Sequence, residues 1–249
     1  VYTNTRAYEI VKELKAEGKI RHIGMSFHDS AEVLDKILTD RPEIEVVQLQ
    51  LNYVDMLDPR VQSQACYDVC VKHGKPVLVM EPVKGGSLVN LPQNAAELLT
   101  EYSQAGYAIR FAASPENIMM VLSGMSNMDQ MTDNIKSMKD FTPFTETEFD
   151  TVYRVADIIR AIPTIPCTSC KYCTDGDRCP MGIRIHSIFG AENKARRFNT
   201  EDARGHYNWV TSKGGKPTDC IGCGACEEIC PQQLPIRQLL REIGERFEA

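Results

Sequence analysis

The chain lacks the features that would suit it to a membrane, to nucleic acid or to secretion. Its longest apolar runs are well short of a bilayer span. Basic residues do not outnumber acidic ones, since 28 Lys and Arg stand against 34 Asp and Glu, and no basic stripe appears. No secretory signal pattern is visible either. We therefore expect a cytoplasmic protein that has neither a membrane nor a nucleic acid as a partner.

Cysteine, by contrast, is plentiful, and eight of the ten cysteines fall into two runs near the C-terminus. The second run has the spacing of the bacterial ferredoxin sequence that holds 4Fe–4S clusters, and the first differs only in a longer last gap. The runs are Cys167-x2-Cys170-x2-Cys173-x5-Cys179-Pro180 and Cys220-x2-Cys223-x2-Cys226-x3-Cys230-Pro231. This spacing predicts two 4Fe–4S clusters and a function that moves electrons.

The fourth cysteine of each run lies too far along the chain to close easily on the same cube. In two-cluster ferredoxins this residue binds the other cluster, so we predict that the two runs exchange their fourth ligands. The first cluster would be held by Cys167, Cys170, Cys173 and Cys230, and the second by Cys220, Cys223, Cys226 and Cys179. The expected apolar shell consists of Ile221, Ala225, Ile229, Leu234 and Ile236.

Two other uses of these cysteines fit the pattern less well. Zinc sites commonly show two separated ligand pairs rather than two triplets, each followed by Cys-Pro. Disulfides suit small secreted chains, and nothing here suggests secretion. The polar insert 174–178 is expected to form a turn that absorbs the longer gap. Cys66 and Cys70 stand apart from the runs, and we interpret them as buried small hydrophobes.

Residues 1–142 alternate continuous apolar runs with amphipathic segments, the order typical of a parallel α/β layout. The predicted strands are Ile20–Ser26, Ile44–Leu51, Pro76–Met80 and Ile118–Ser123. The predicted helices between and after them are Ala31–Leu38, Arg60–His73, Ala95–Phe111 and Met128–Met138. Four strands are too few to close an eight-stranded barrel.

Two further segments follow the α/β domain. Residues 143–165 are predicted to form a helix and a linker, with Thr145 and Glu148 in the capping-box pattern at the helix start. Residues 166–249 form the cysteine domain. We expect this domain to be mainly helical, with its last helix over 236–247.

Four stretches in the first 142 residues resemble successive parts of the aldo/keto reductases. These are Glu17–Ser26, Gln48–Tyr53, Met80–Leu88 and Leu122–Ser126, which resemble the fifth to eighth strands with their flanking loops. With the cysteine tail, the chain resembles an aldo/keto reductase fused to a C-terminal 4Fe–4S dicluster domain. The resemblance implies that 1–142 is the C-terminal half of a (β/α)8 TIM barrel.

The resemblance also implies a site for NADP(H) or NAD(H). Ser26 and Gln48 would bond the nicotinamide carboxamide, and the loop containing Gly85, Gly86, Ser87 and Leu88 would lie along the pyrophosphate. The adenosine end would be held by Gly124, Ser126, Gln130 and Asn134 at the start of the following helix. Many members have arginine where Gln130 stands, so the preference for NADP over NAD is left open.

The family's catalytic residues come from strands that would precede Val1, so no catalytic residue is assigned and the chain alone is expected to be inactive. The intact protein is predicted to be an oxidoreductase for a small carbonyl or alcohol, with electron transfer through the clusters. One alternative is a non-enzymatic, ferredoxin-like electron carrier, and another is a purely structural role for the clusters. A redox protein partner could be steered by Arg184, Lys194, Arg196 and Arg197.

Several residues near the expected nucleotide site have a structural interpretation. We predict that Tyr53 packs in the core and that His28 caps a helix or faces water. For Glu81 two interpretations stay open, an ion pair with Lys84 that shapes the loop and a catalytic role. Core and loop packing is also predicted for Met119, Met120, Met125, Met128 and Met131. A half-barrel exposes unpaired strand edges, so residues 1–142 alone are expected to aggregate, to pair with a second chain or to be poorly ordered.

Overall fold

A computed structural model describes residues 6–59, 61–198 and 200–248. The chain divides into two compact units. The first comprises Val1–Val89 with Asn94–Asp157, and the second comprises Asn90–Gln93 with Ile158–Ala249. Within the described ranges, no helix is both long enough and apolar enough to cross a bilayer.

The first unit contains a parallel four-stranded sheet in the order β1-β2-β3-β4. The strands are β1 (Gly24–Ser26), β2 (Val46–Gln50), β3 (Val77–Met80) and β4 (Ile118–Val121). Helices connect successive strands, which confirms the predicted parallel α/β layout. The first strand is shorter than predicted, because only its last three residues pair in register with β2.

Seven helices up to residue 161 accompany the sheet. They are α1 (Ala7–Ala16), α2 (Ala31–Asp40), α3 (Ser63–Lys72), α4 (Gln93–Ala96), α5 (Gln104–Ala113), α6 (Met128–Met138) and α7 (Glu146–Ala161). The predicted start of the third helix, Arg60, lies outside the described residues. The observed helix begins at Ser63, whose hydroxyl donates to the Gln50 carbonyl at 2.8 Å.

The prediction of one helix over Ala95–Phe111 was wrong. A new helix begins after Ser103, because the Ser103 hydroxyl accepts a hydrogen bond from the Gly106 amide at 2.9 Å and so caps α5. Glycine is needed at position 106, since a Cβ there would lie 2.5 Å from the Ser137 hydroxyl on α6. The predicted capping box of α7 is confirmed, because the Thr145 and Glu148 side chains each accept the other's backbone N–H.

Aromatic side chains fill the core behind the sheet. Phe111 is fully buried and meets Tyr53 and Phe149 edge-on, with ring centroids 5.9 and 5.7 Å apart. The predicted packing role of Tyr53 is thereby confirmed. Its burial raises the pKa of the Tyr53 hydroxyl well above its usual range.

The methionines near β4 and α6 do not pack in a core as predicted. Met119 and Met128 are 57% and 71% exposed, and Met120, Met125 and Met131 are exposed as well. For Met119 and Met120 the reason is topological, because they lie on β4, which is the edge strand of the sheet within the described part of the chain. The expected aggregation or pairing of residues 1–142 remains a prediction.

The second unit is built from helices and loops. Its helices are α8 (Ile185–Arg197), α9 (Thr200–Thr211), α10 (Ala225–Glu228) and α11 (Ile236–Phe247), with short 3-10 turns at Asp175–Asp177 and Pro217–Asp219. The core of this unit joins apolar residues of α8 and α11 to Cys173 and Cys226. One member of each cysteine run is thus part of the core.

Candidate cluster and nucleotide sites

One cavity of the second unit brings together four cysteines from both runs. Cys179 of the first run lines it together with Cys220, Cys223 and Cys226 of the second. The chain turns between these cysteines at Gly222 and Gly224, whose positive φ angles of 73° and 83° are backbone conformations that favour glycine. The four cysteines are those predicted to share the second cluster.

The other four cysteines also lie near one another. Burial raises the pKa of the Cys167 thiol, and the neighbouring Cys170 and Cys230 add to that rise. The pKa of Cys173 is raised to about 11, mainly by burial and further by Cys167 and Cys170. Cys230 of the second run therefore lies near Cys167 of the first, and the exchange of fourth ligands stays a prediction.

The donor chemistry of both groups suits iron–sulfur clusters. Burial is the main cause that raises the pKa of Cys226 to about 11, so a thiolate there needs positive charge nearby. Iron supplies that charge when thiolates bind it. Among the residues that the structure describes, no three His, Cys, Asp or Glu side chains are arranged to hold a single ion. The four thiols that line one cavity can each bind one iron of a 4Fe–4S cube.

The apolar shell differs in part from the prediction. Leu234 and Ile236 are buried, but Ile221 is 64% exposed and Ile229 is exposed as well. Ile221 nevertheless lines the cavity of the second cysteine group. Part of the cavity wall comes also from Leu240 on α11, whose apolar positions are spaced one helical turn or two apart. That periodicity was a sequence signal for a buried face, but not for which cavity the face closes.

The insert in the first run forms a turn, as predicted. Asp175–Asp177 is a single 3-10 turn, and Gly176 within it has φ 64°. The residue that follows, Arg178, lines the same cavity as the second cysteine group. The longer gap therefore adds a basic side chain next to Cys179.

Cys66 and Cys70 lie apart from this arrangement, in the first unit on α3. Both are buried, and burial is the main cause that raises the pKa of Cys66 to about 11 and of Cys70 to about 12. Thiols that stay protonated in an apolar setting behave as small hydrophobes.

Ser26 and Gln48 are neighbours in the sheet, Ser26 as the last residue of β1 and Gln48 in the middle of β2. They are paired in register, and the Phe27 amide donates to the Gln48 carbonyl at 3.0 Å. The Gln48 amide nitrogen donates to the Met80 sulfur at 3.3 Å, which orients the side chain. The two residues predicted for the nicotinamide end therefore lie side by side, level with the carboxyl end of β1.

The loop that follows β3 is bonded through Lys84 to the buried carboxylate of Asp55. Asp55 is 1% exposed, and it accepts from the Lys84 ammonium at 2.5 Å, from Gln50 at 2.7 Å and from Asn52 at 2.8 Å. The predicted pairing of Lys84 with Glu81 was wrong, because the Lys84 side chain turns inward to Asp55. The Asn52-x-x-Asp55 spacing, in which Asn52 also bonds two backbone amides, was the local signal for this site.

The same loop contains a run of left-handed backbone. Lys84, Gly85 and Gly86 have positive φ angles of 53°, 58° and 87°. Ser87 and Leu88 are buried in a short 3-10 turn that closes the loop. The Gly86 and Leu88 amides donate to the Val83 carbonyl and the Ser87 amide donates to the Lys84 carbonyl, so these N–H groups hold the loop itself together.

The residues predicted for the adenosine end gather at the start of α6. The Ser126 amide donates to the Gln130 side-chain oxygen at 2.7 Å, and Asn134 donates to the Ser123 hydroxyl at 3.0 Å. A Cβ on Gly124 would meet no atom within 4 Å, so its surroundings are open. His28, in contrast, is an exposed loop residue, in accord with its structural interpretation.

Not all of the basic residues proposed to steer a redox protein partner can do so. Arg196 donates to Glu192 at 2.7 Å, and Glu192 is buried at 2% side-chain exposure. Arg246 from α11 lies 3.3 Å from the same carboxylate. Arg196 therefore helps to compensate a buried charge, which leaves Arg184 as the exposed member of the group.

Comparison with known proteins identifies a family for each of the two parts of the chain. The Aldo/keto reductase family profile matches residues 3–157, and the 4Fe-4S dicluster domain profile matches residues 166–234. The chain belongs to the aldo/keto reductase family, and it carries a 4Fe–4S dicluster domain after the barrel segment. No curated protein sequence matches the chain.

Solved structures of aldo-keto reductases share the fold of the first unit. The apo form of aldo-keto reductase AKR11C1 from Bacillus halodurans is 23% identical to this chain and superposes with a TM-score of 0.51. The match covers 59% of this chain and 55% of the reductase. An aldo-keto reductase from Klebsiella pneumoniae in complex with NADPH is 16% identical over 59% and 52% of the two chains, with a TM-score of 0.48. The chain spans about half the length of these structures.

Proposed function

We propose that the intact protein is an NAD(P)H-dependent oxidoreductase that exchanges a hydride between the nicotinamide and a small carbonyl or alcohol. Two 4Fe–4S clusters in the same chain pass single electrons to or from a redox protein. The observation that carries this proposal is the presence, in one chain, of Ser26 and Gln48 paired across β1 and β2 and of a cavity lined by cysteines of both runs. Carbonyl chemistry also needs groups of the barrel half that this chain does not span.

Nucleotide binding rests on three elements of the first unit. Ser26 and Gln48 offer a hydroxyl and an amide to the carboxamide, and the missing side chains at Gly85 and Gly86 let the backbone come close to the pyrophosphate. The side chains at the start of α6 would hold the adenosine end. The positive end of that helix favours the negative phosphates.

The nucleotide site is tested by substituting Ser26→Ala and Gln48→Ala in the intact protein. Each variant loses one hydrogen bond worth about 1 kcal/mol, so the Kd for NADPH is expected to rise about fivefold. Gln64→Ala is the matched control, since that glutamine bonds only an exposed aspartate on α3. Unchanged Kd values for both site variants would contradict the assignment.

In the proposed ligand sets, Cys167, Cys170, Cys173 and Cys230 hold one cluster, and Cys179, Cys220, Cys223 and Cys226 hold the other. Cys173 and Cys226 belong to the same hydrophobic core. They lie close enough for Cys226 to add to the rise in the pKa of Cys173. That proximity supports a short path for an electron between the two clusters.

The nicotinamide delivers two electrons as a hydride, whereas each cluster accepts one. Internal coupling therefore requires a group that accepts the hydride from NADPH, releases a proton and passes the two electrons singly to the two clusters. The coupling is tested by adding NADPH to the protein under anaerobic conditions and following the visible absorption of the clusters. Bleaching is expected, and an unchanged spectrum in a protein that dithionite does bleach would contradict internal coupling.

A second candidate function is that of an electron carrier without carbonyl turnover. It is favoured by the exposure of Cys170 and Cys223 and of the side chains beside them, Tyr172 and Ile221. Exposed ligands let an electron leave to a partner docked on that surface. This candidate predicts cluster reduction by a partner protein with no carbonyl reduction by the intact protein.

A further inference from the structure

An arginine–glutamate pair lies beside the second cysteine group. Arg237 is in the first turn of α11, beyond the residues 166–234 that match the dicluster domain profile. Glu227 directly follows Cys226 in α10. The pair therefore links a proposed cluster ligand to a helix outside the matched segment.

The pair is held by several hydrogen bonds. Glu227 accepts from the Arg237 backbone N–H at 2.7 Å and from Nε at 2.9 Å, and Nη2 lies 2.7 Å from the same carboxylate. Two carboxylate oxygens thus fix both the backbone and the side chain of Arg237. An arginine bound in this way loses little freedom when it presents its charge in one direction.

The guanidinium lies on the loop that joins the cysteines. Its Nη1 lies 3.4 Å from the Gly222 carbonyl, and its Cζ lies 3.9 Å from where a Cβ on Gly224 would be. Arg237 lines the cavity shared by Cys179, Cys220, Cys223 and Cys226, and Leu240 lines it from the same helix. A fixed positive charge therefore faces the second cysteine group, next to an apolar wall.

A cluster becomes more negative by one unit when it takes up an electron. Net charge around a cluster, hydrogen bonds and exposure set its potential, so a nearby cation stabilises the reduced form and a nearby carboxylate opposes it. We propose that Arg237, held by Glu227, raises the reduction potential of the second cluster above the value that Glu227 alone would allow. This inference rests on the proposed function, because it requires the second cluster.

The test is a redox titration of the full 249-residue chain, with clusters assembled anaerobically from ferrous iron and sulfide. Reduction by dithionite is followed by the electron paramagnetic resonance of each cluster. With Arg237→Gln, one midpoint potential is expected to fall and the other to stay. A unit charge roughly ten ångström away changes the ratio of reduced to oxidised cluster by about tenfold at an effective dielectric constant of about 20. For a one-electron couple, tenfold corresponds to about 59 mV.

Three further variants separate charge from structure. Glu227→Gln removes the opposing charge, so the same midpoint is expected to rise. Arg237→Lys keeps the charge and is expected to stay near the original value. Arg241→Gln, one turn along α11, removes an arginine that lines a groove with Cys220 but not the cavity shared by the four cysteines, so any shift it causes is expected to be smaller than that of Arg237→Gln.

The outcomes distinguish this inference from the proposed function. If the unsubstituted chain binds two clusters, but neither Arg237→Gln nor Glu227→Gln moves a midpoint, the inference is overturned alone. Equal shifts of both midpoints, or a shift as large with Arg241→Gln, overturn it too. If the Arg237→Gln variant no longer binds the second cluster, the Glu227→Gln variant decides. A rise of its midpoint supports the inference, and an unchanged or lower midpoint overturns it. An unsubstituted chain that assembles no clusters refutes the proposed function, and this inference with it.

Discussion

Asp55→Ala should loosen the loop after β3 more than any change on its surface. The carboxylate is 1% exposed, and it accepts bonds from three side chains, one of them the Lys84 ammonium. Removing one partner of a buried ion pair costs about 3–5 kcal/mol, because the remaining charge is left without compensation. Lys84 is 28% exposed and can turn partly towards water, so we expect the lower end, about 3 kcal/mol.

Hydrogen exchange followed by mass spectrometry reads this effect locally. A loss of about 3 kcal/mol corresponds to about 150-fold faster exchange for amides that open with the loop, such as those of Ser87 and Leu88. Glu81→Ala is the control, because Glu81 is exposed and is not the partner of Lys84 in the structure. Its effect should stay within about 0.5 kcal/mol. Equal acceleration in the two variants would refute the reasoning.

Three further predictions concern other parts of the chain. Cys226→Ser should lower the iron content, whereas Cys66→Ser should leave it unchanged, since Cys66 lies on α3 in the other unit. Ser103→Ala should cost about 1 kcal/mol in thermal unfolding, because it removes the cap of α5. The pKa of Asp35 lies below its usual value of 3.8, through Lys72 first and then His73. Its stabilisation is thus present above pH 3.8 and lost as the pH falls further, so Asp35→Asn should flatten acid unfolding in that range.

The cysteine sites could be predicted because ligand spacing is a local property of the sequence. A loop that wraps a cube must place its thiols at short, regular intervals, and this remains visible without a structure. The exchange of Cys179 and Cys230 between the groups followed from the same geometry, and the structure places each of them beside the other run.

The parallel sheet was predictable for a related reason. Strands covered on both faces are continuous apolar runs, and alternation with helices indicates parallel pairing. The errors fell where a single side chain decides. The Ser103 cap divides a segment that is helical by composition, and the position of β4 at the sheet edge leaves Met119 and Met120 exposed.

Residues that act through long-range contacts could not be predicted. The Asn52-x-x-Asp55 spacing is a local signal for a bonded Asp55, but its partner Lys84 lies 29 positions away, and no local pattern ranks Asp55 above Glu81 as the partner of Lys84. Arg237 likewise meets Glu227 only because α11 folds back onto the second cysteine run. Such pairs depend on tertiary packing, which periodicity and spacing do not encode.

Iron and acid-labile sulfide, counted per chain in protein purified without oxygen, test the assignment of both cysteine runs most directly. Two 4Fe–4S clusters require about eight iron atoms and about eight sulfides. About half of each would leave one run without its cluster. Zinc in place of iron, with no labile sulfide, would contradict the cluster assignment and every electron-transfer role built on it.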